Sequence, residues 1–376
     1  MKSKAIFRIT AATVTMLLTG SISIGAARLD DLDALLESIR LKHNLPALAG
    51  AVVTGQGLLE SGGAGTRKSG EDVPVTTDDL WHFGSNTKAM TAALIGVLVE
   101  EGFLRWNSSL EEVFPEWATD MPEALKKVTI LHLLSHRSGF NANLFWWGFS
   151  KKGTLREQRL EAVKTALSGK LLSDPGGQFL YSNLGYVVAG AMVEKATGSA
   201  WEELLLDKIC RPLGMETMGF GGLGTPGLVD QPWPHGANGK PLPKNGPDID
   251  NPAVLGPAGT GHGTLGDWAK FVADLLKGAA GEKALMKLET YEMLLSPPFG
   301  GDYALGWVVT ERPWGGGKVL VHNGSNNMNF ATVWVAPLRN FAVLVATNQG
   351  GPAAQKACDE AAGALIKRHM DRNASK

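Results

Sequence analysis

One helix constrains the fold of this chain more than any other stretch. Residues 89–101 are apolar on nearly every side and Gly102 follows them, a pattern that predicts a buried helix with a glycine stop. Ser85 and Lys88 stand at its N-terminal end, and their spacing of three places both side chains on one face of a helical turn. Ser85 would therefore lie close to the amide groups at the helix N-terminus, which favour developing negative charge.

Ser85 and Lys88 are also a chemically meaningful pair. A serine becomes a nucleophile when a proton acceptor lies beside it, and burial lowers the pKa of a lysine so that it can accept that proton. The pair alone is weak evidence, because Ser85 is equally compatible with an ordinary N-cap and Lys88 with a surface lysine. Other parts of the chain have to decide between these interpretations.

Composition excludes several classes of function. The 376 residues carry a formal net charge of −1, and 44% of them are hydrophobic, which is typical of a globular protein with a sizeable core. Without a block of like charges, the chain does not fit a nucleic-acid binder or an electrostatic membrane-surface binder. The only cysteines are Cys210 and Cys358, too few for a disulfide scaffold. We expect both to be buried free thiols.

The N-terminal 27 residues differ from the rest of the chain. A basic segment, residues 1–8, precedes an uncharged and mostly apolar segment, residues 9–24, and Gly25-Ala26-Ala27 offers small residues for cleavage. This pattern predicts a signal peptide over residues 1–27 and a periplasmic or secreted protein. The alternative is an uncleaved anchor, although the segment is near the short limit for crossing a bilayer.

The remaining residues, 28–376, predict one α+β domain. Helical spacing at the start, alternating stretches near both ends and a closing amphipathic helix predict one antiparallel sheet covered by terminal helices. We assign this α/β lobe to residues of about 28–104 and 285–376. An all-α lobe is inserted at about 105–284, and it ends in a loop rich in glycine and proline over residues 219–260.

Two short motifs follow Ser85 and Lys88 in order. Tyr181-Ser182-Asn183 contains the only Tyr-x-Asn of the chain, and His322-Asn323-Gly324 ends a predicted strand. With these motifs the chain resembles the serine β-lactamase and penicillin-binding protein superfamily. It looks most like the branch of class C β-lactamases, DD-peptidases and family VIII esterases, and the resemblance covers residues of about 30–368.

The resemblance implies three catalytic residues. Ser85 would be the acylated nucleophile and Lys88 would help to activate it. Tyr181, as a phenolate or as a proton relay, would take part in acylation and then activate the deacylating water. The resemblance implies no metal ion and no cofactor.

The resemblance also implies substrate-binding residues. Asn183 would hydrogen-bond Lys88 and the substrate amide, and His322 with Asn323 would border the substrate. The backbone amides of Ser85 and Ser325 would form an oxyanion hole. A side chain at position 324 would crowd the substrate, which explains Gly324.

Position 322 bears on the substrate. Class C β-lactamases have a lysine there that favours binding of the β-lactam carboxylate, and Asn323 replaces a frequent threonine. The resemblance therefore favours an exported esterase or a D-amino-acid-specific, DD-carboxypeptidase-like peptidase over a class C-like β-lactamase. Its partners would be small esters, amides or β-lactams, with peptidoglycan peptides as a further candidate. A catalytically silent cell-wall-binding module is the alternative from another class.

Other motifs have simpler interpretations. His132 and His136 are four apart, as zinc ligands can be, but no third ligand follows, and we expect buried histidines bonded to backbone. The Gly-x-Gly-x-x-Gly match at residues 261–266 lacks the preceding strand of a dinucleotide site; we expect it to border the catalytic cleft, with His262 as a candidate lining residue. Trp146 and Trp147 are equally compatible with stacking on substrate and with filling the helical lobe.

Overall fold

A six-stranded antiparallel sheet, in the order β2-β1-β9-β8-β7-β6, forms the centre of the fold. The computed structural model describes residues 31–146 and 153–374. Three shorter strands pair separately in the order β3-β5-β4. The strands are β1 Ala47–Thr54, β2 Gly57–Gly65, β3 Trp81–His82, β4 Gly219–Phe220, β5 Gly261–Gly263, β6 Val308–Arg312, β7 Gly317–Ser325, β8 Phe330–Ala336 and β9 Phe341–Thr347.

Helices cover both faces of the large sheet and build the region between its two halves. Within the described residues they are α1 Leu32–Lys42, α2 Thr87–Glu100, α3 Leu110–Val113, α4 Glu123–Lys126, α5 Ile130–Leu134, α6 Leu155–Leu167, α7 Asn183–Thr197, α8 Trp201–Leu205, α9 Gly256–Gly259, α10 Leu265–Ala279, α11 Leu288–Leu294 and α12 Gly351–Ala374.

The terminal helices α1 and α12 pack on one face of the sheet, and α10 packs on the other. Gly50 on β1 shows how close the first layer lies, because a Cβ there would sit 3.0 Å from Leu365 and 3.2 Å from Leu36. The strands buried on both faces, β1 and β9, are accordingly apolar almost throughout. The predicted antiparallel sheet covered by terminal helices is confirmed.

Helix α2 is the buried helix that the sequence predicts. Eleven of its 14 residues are buried, which agrees with its lack of a polar face. A 3₁₀ turn, Gly84–Asn86, leads into it, and the Thr87 hydroxyl donates to the Gly84 carbonyl over 2.7 Å. Ser85 thus lies in the turn just before the helix, and Lys88 lies in its first turn.

One buried guanidinium ties three of the helices together. Arg159 on α6 is fully buried and pairs with Glu194 on α7 and with Glu202 on α8. Its Nε also donates to the Val254 carbonyl over 3.3 Å. Two carboxylates and a carbonyl therefore surround this cation, as the burial of a charge requires.

Several other expectations can be compared with the structure. Cys210 and Cys358 are both buried and free, as predicted. From Leu32 onward the chain forms one compact unit, so its division into two lobes stays a prediction. The predicted signal peptide, residues 1–27, lies outside the described residues. Among those that are described, no helix has the length and apolar character needed to cross a membrane.

Candidate active site

Lys88 is fully buried beside Ser85. Its Nζ lies 3.0 Å from Ser85 Oγ, 2.8 Å from Asn183 Oδ1 and 2.7 Å from the carbonyl oxygen of Ala258. No carboxylate pairs with it among the described residues, and burial lowers the pKa of Lys88 well below its ordinary value. The structure therefore favours a neutral amine at this position.

A neutral amine fits these three contacts by count. It has two N–H groups and one lone pair, and two of its neighbours, Asn183 Oδ1 and the Ala258 carbonyl, can only accept. If both N–H groups are used there, the lone pair is directed at the Ser85 hydroxyl, which donates. In its neutral form Lys88 can therefore accept the proton of Ser85 in this geometry.

Tyr181 closes the other side of Ser85. Lys88 Nζ lies 4.9 Å from the centre of the Tyr181 ring, and the nearby Ser85 side chain opposes part of the effect of burial on the pKa of Tyr181. Although 37% of this residue is exposed, protein atoms crowd its phenolic end, and this burial raises the pKa of Tyr181 to about 12. The phenol is therefore protonated at neutral pH.

His136 supports Tyr181 from behind. The two ring centres are 4.2 Å apart, and His136 Nδ1 accepts from the amide of Ser182 over 3.1 Å. Burial lowers the pKa of His136 well below its ordinary value, so a neutral ring packs against the site. His132 instead accepts from the Thr129 amide and stacks on Phe299.

Strand β7 touches the turn that carries Ser85. A Cβ on Gly324 would lie 1.9 Å from the Phe83 carbonyl oxygen and 2.7 Å from the Ser85 nitrogen, and a Cβ on Gly84 would lie 2.4 Å from the Ser325 nitrogen. Gly84 also has a φ of +52°, which favours glycine. The structure adds a reason for Gly324 that the sequence did not show, because a side chain there would strike the backbone of Phe83 and Ser85. The predicted crowding of substrate stays a prediction.

Both ring nitrogens of His322 are engaged within the protein. It is buried, its Nδ1 lies 2.8 Å from the Asn323 carbonyl, and its Nε2 lies 3.0 Å from the Tyr303 hydroxyl. Because a carbonyl only accepts, Nδ1 carries the proton and Nε2 accepts from Tyr303. Burial lowers the pKa of His322 to about 3, so the ring is neutral. Asn323 accepts from the Thr332 hydroxyl over 2.6 Å.

A cavity of about 290 Å³ opens above Ser85. Ser325 lines it, together with the amide side chains of four asparagines and an apolar wall; these residues are Asn143, Asn183, Asn251, Asn327, Leu144, Trp146 and Leu255. None of its described lining residues carries a charge. His322, Asn323 and Gly324 are not among them.

Trp146 and Asn143 hold each other at the cavity wall. The Trp146 indole donates to Asn143 Oδ1 over 3.0 Å, and the amide of Asn183 donates to the same oxygen over 3.0 Å. Trp147 lies outside the described residues. His262 lies on β5, where its Nδ1 meets the Gly221 carbonyl over 2.9 Å, and it is not a described lining residue.

Sequence reasoning missed the asparagines of the loops. Asn143, Asn251 and Asn327 come from three irregular segments with no regular spacing, so no pattern connects them to Ser85. Their amide side chains can both donate and accept. The described lining of the cavity therefore combines uncharged polar residues with apolar ones.

Comparison with known proteins identifies the family. The family model described as Beta-lactamase matches residues 29–366. The chain belongs to the Beta-lactamase family. The predicted superfamily and enzyme class, a serine hydrolase, are thereby confirmed.

Individual relatives are more distant. Penicillin-binding protein 4 of Amycolatopsis lactamdurans is 32% identical over 179 residues, which are 48% of this chain and 46% of that protein. The unguisins hydrolase ungD' of Aspergillus campestris is 27% identical over 304 residues, 73% of this chain and 53% of that protein. This chain thus spans about half the length of these curated relatives.

Solved structures share the fold. The octameric penicillin-binding protein homologue from Pyrococcus abyssi superposes with a TM-score of 0.71 at 23% identity, over 89% of this chain and 77% of that one. At this level of identity the likeness confirms the fold.

Proposed function

We propose that this protein is an exported hydrolase that forms an acyl-enzyme on Ser85 with neutral esters or amides. It acts as an esterase or as a peptidase for D-amino-acid amides. The observation that carries the substrate class is that no described residue lining the cavity beside Ser85 carries a charge. The export signal at residues 1–27 is part of the proposal.

In the proposed reaction Lys88 accepts the Ser85 proton as Oγ attacks the acyl carbon. The amides of Ser85 and Ser325 stabilise the oxygen that becomes negative. The leaving alcohol or amine takes a proton passed on through Lys88 and Tyr181, and the acyl group stays on Ser85. Because burial keeps the Tyr181 phenol protonated, we assign it the proton-relay role and not that of a phenolate base. Water then releases the acid by the same path in reverse.

The position of His322 supports this substrate class. In class C β-lactamases, which this chain resembles, a lysine at this position favours binding of the β-lactam carboxylate. Here the ring at position 322 is neutral, and both of its nitrogens are engaged within the protein. A neutral acyl group can lie against the apolar wall of Leu144 and Leu255, while the asparagines hydrogen-bond the scissile group.

Three substrates and one mass measurement test the proposal. We expect p-nitrophenyl butyrate or N-acetyl-D-alanine p-nitroanilide to be hydrolysed, and the activity to be lost in Ser85→Ala. Ser168→Ala, an exposed serine at the end of α6, is the matched control and should keep full activity. Intact mass after incubation with the ester should show an adduct on the wild type only.

A penicillin distinguishes the alternatives. Rapid consumption of the drug would indicate a class C-like β-lactamase and overturn the substrate assignment. A lasting adduct without consumption would indicate a penicillin-binding peptidase. Absence of any turnover or adduct with all three classes of substrate would favour the silent wall-binding module.

A further inference from the structure

Three buried polar side chains connect the two halves of the oxyanion hole. His82 lies three residues before Ser85, Asn326 follows Ser325 directly, and Asp250 comes from the long loop between them. His82 Nε2 lies 2.9 Å from Asp250 Oδ2, and Asn326 Nδ2 donates to Asp250 Oδ1 over 2.8 Å. The His82 and Asp250 side chains are 0% and 1% exposed.

The direction of every hydrogen bond in this chain of contacts is fixed. At one end, the Gly84 amide donates to His82 Nδ1 over 3.1 Å, so the ring proton must be on Nε2 and point at Asp250. At the other end, Asn326 Oδ1 accepts from the amides of Met328 and Asn329. Its Nδ2 must therefore face Asp250 as a donor.

Asp250 thus receives a donor from each side. Only a side chain that accepts at both of its polar atoms satisfies this position, and a carboxylate is the one that fits. An asparagine would present an N–H to either His82 or Asn326. Neither His82 nor Asn326 can reverse its donor and acceptor atoms, because backbone amides donate to each of them on the far side. Two donors would then face each other in a buried site, which is costly.

We infer that His82, Asp250 and Asn326 form an oxyanion-hole brace: positioning residues that hold the Ser85 and Ser325 amides at the separation which the reaction requires. The inference rests on the proposed acyl-enzyme mechanism. Gly84 and Gly324 bring the two backbones into direct contact, and the brace is the polar connection that spans this contact from one side. The next residue, Asn251, lines the cavity, so Asp250 also places that wall.

The test measures the rate at which a reactive probe labels Ser85. This rate depends on the oxyanion hole but does not require that the natural substrate be known. A fluorophosphonate probe transfers its phosphonyl group to Ser85 Oγ and releases fluoride, while the phosphoryl oxygen occupies the hole. We expect Asp250→Asn to lower the labelling rate by about 10–100-fold, as misplacement of a reacting group does. The kcat for p-nitrophenyl butyrate should fall in parallel, with KM nearly unchanged.

A double variant gives the decisive result. In Asp250→Asn with Asn326→Asp, the new asparagine accepts from His82 and donates to the new carboxylate, which still accepts from the Met328 and Asn329 amides. Every donor again meets an acceptor. We expect this double variant to recover the labelling rate to within about fivefold of wild type, although Asn326→Asp alone is as slow as Asp250→Asn.

Controls separate positioning from general stability. Asp274 is a half-buried carboxylate that accepts from the Tyr291 hydroxyl and the Leu285 amide. Asp274→Asn should lower the melting temperature without changing the labelling rate of the folded protein. Should Asp250→Asn fail to fold, His82→Asn keeps an acceptor for the Gly84 amide while losing Asp250, and it should show the same loss of rate.

Two results would overturn the brace. One is a folded Asp250→Asn protein that labels at the wild-type rate. The other is a double variant that is slower than both single variants. By contrast, wild-type labelling of Ser85 without any ester or amide hydrolysis would contradict the proposed function and leave the brace standing.

Discussion

Lys88 and Arg159 are both fully buried basic side chains, yet their surroundings differ. Arg159 meets two carboxylates, those of Glu194 and Glu202. Lys88 meets a hydroxyl, a side-chain amide and a carbonyl. Both sites offer hydrogen-bond partners to the buried side chain, but only the Arg159 site also supplies negative charge.

The difference shows how one fold treats buried charge in two ways. Arg159 is a permanent cation, and the two carboxylates that compensate its charge let it join helices α6, α7 and α8. Lys88 has no charged partner among the described residues, and burial lowers its pKa. A paired cation is therefore part of the structure, whereas an uncompensated one is prepared to exchange a proton.

We expect the largest loss of activity when position 88 carries a permanent positive charge. Arginine cannot lose its proton in a protein, so Lys88→Arg should lower kcat by about 10³-fold, the contribution typical of a positioned base. Steady-state kinetics on p-nitrophenyl butyrate and a melting curve measure the two consequences separately. A folded Lys88→Arg enzyme with wild-type kcat would contradict the base assigned here.

Removing a partner of Arg159 should act on stability instead. Glu194→Gln leaves the guanidinium with one carboxylate fewer in a buried site, and we expect a loss of about 3 kcal/mol in the free energy of unfolding. Urea denaturation measures the loss, and kcat of the folded protein should be unchanged. Glu203→Gln, an exposed neighbour on α8, is the control and should change neither quantity.

A third variant gives Lys88 a carboxylate partner, as Arg159 already has. Asn183→Asp places a carboxylate 2.8 Å from Nζ, and such a partner raises a lysine pKa by about 1–3 units. The reaction needs the neutral amine, so activity at pH 7 should fall about 10–100-fold and the acidic limb of the pH–rate profile should move to higher pH. Asn143→Ala removes the Asn183 partner without adding charge, and its profile should keep the wild-type position.

We expect the smallest loss of stability when an exposed ion pair is removed. Lys195 pairs with Glu116 over 2.6 Å, and both side chains are 42% exposed. Lys195→Ala should cost less than about 1 kcal/mol, because water screens an exposed pair. A loss as large as that of Glu194→Gln would mean that burial is not what separates the two kinds of site.

Much of the arrangement of helices and strands was predictable from the spacing of apolar residues along the sequence. The apolar run after Ser85 predicts α2, and the alternating stretches predict the strands of the sheet, because burial on a face imposes a period. The meeting of Ser85, Lys88, Tyr181 and Asn183 in one place follows from motif order and resemblance. Their chemical roles stay predictions until activity is measured.

What could not be predicted depends on packing between distant segments. The orientation of His322 is set by Tyr303, and nothing in the motif itself shows which way the ring turns. Asp250 lies in a loop without period, and its need for two acceptor atoms appears only when His82 and Asn326 are beside it. Gly324 was recognised as special, but the atom that requires it is a backbone carbonyl of Phe83.

The close contact between the Ser85 turn and strand β7 has a consequence for how activity is acquired. Asn86 donates to the Ala331 carbonyl across 245 residues of sequence. The proposed oxyanion hole likewise needs both ends of the chain, because its two amides would come from Ser85 and Ser325. Contacts of such long range are completed late and together with the sheet. Labelling of Ser85 during refolding would therefore begin only when the complete native topology has formed. A fragment that ends before β7 would not be labelled, even if its own helices form.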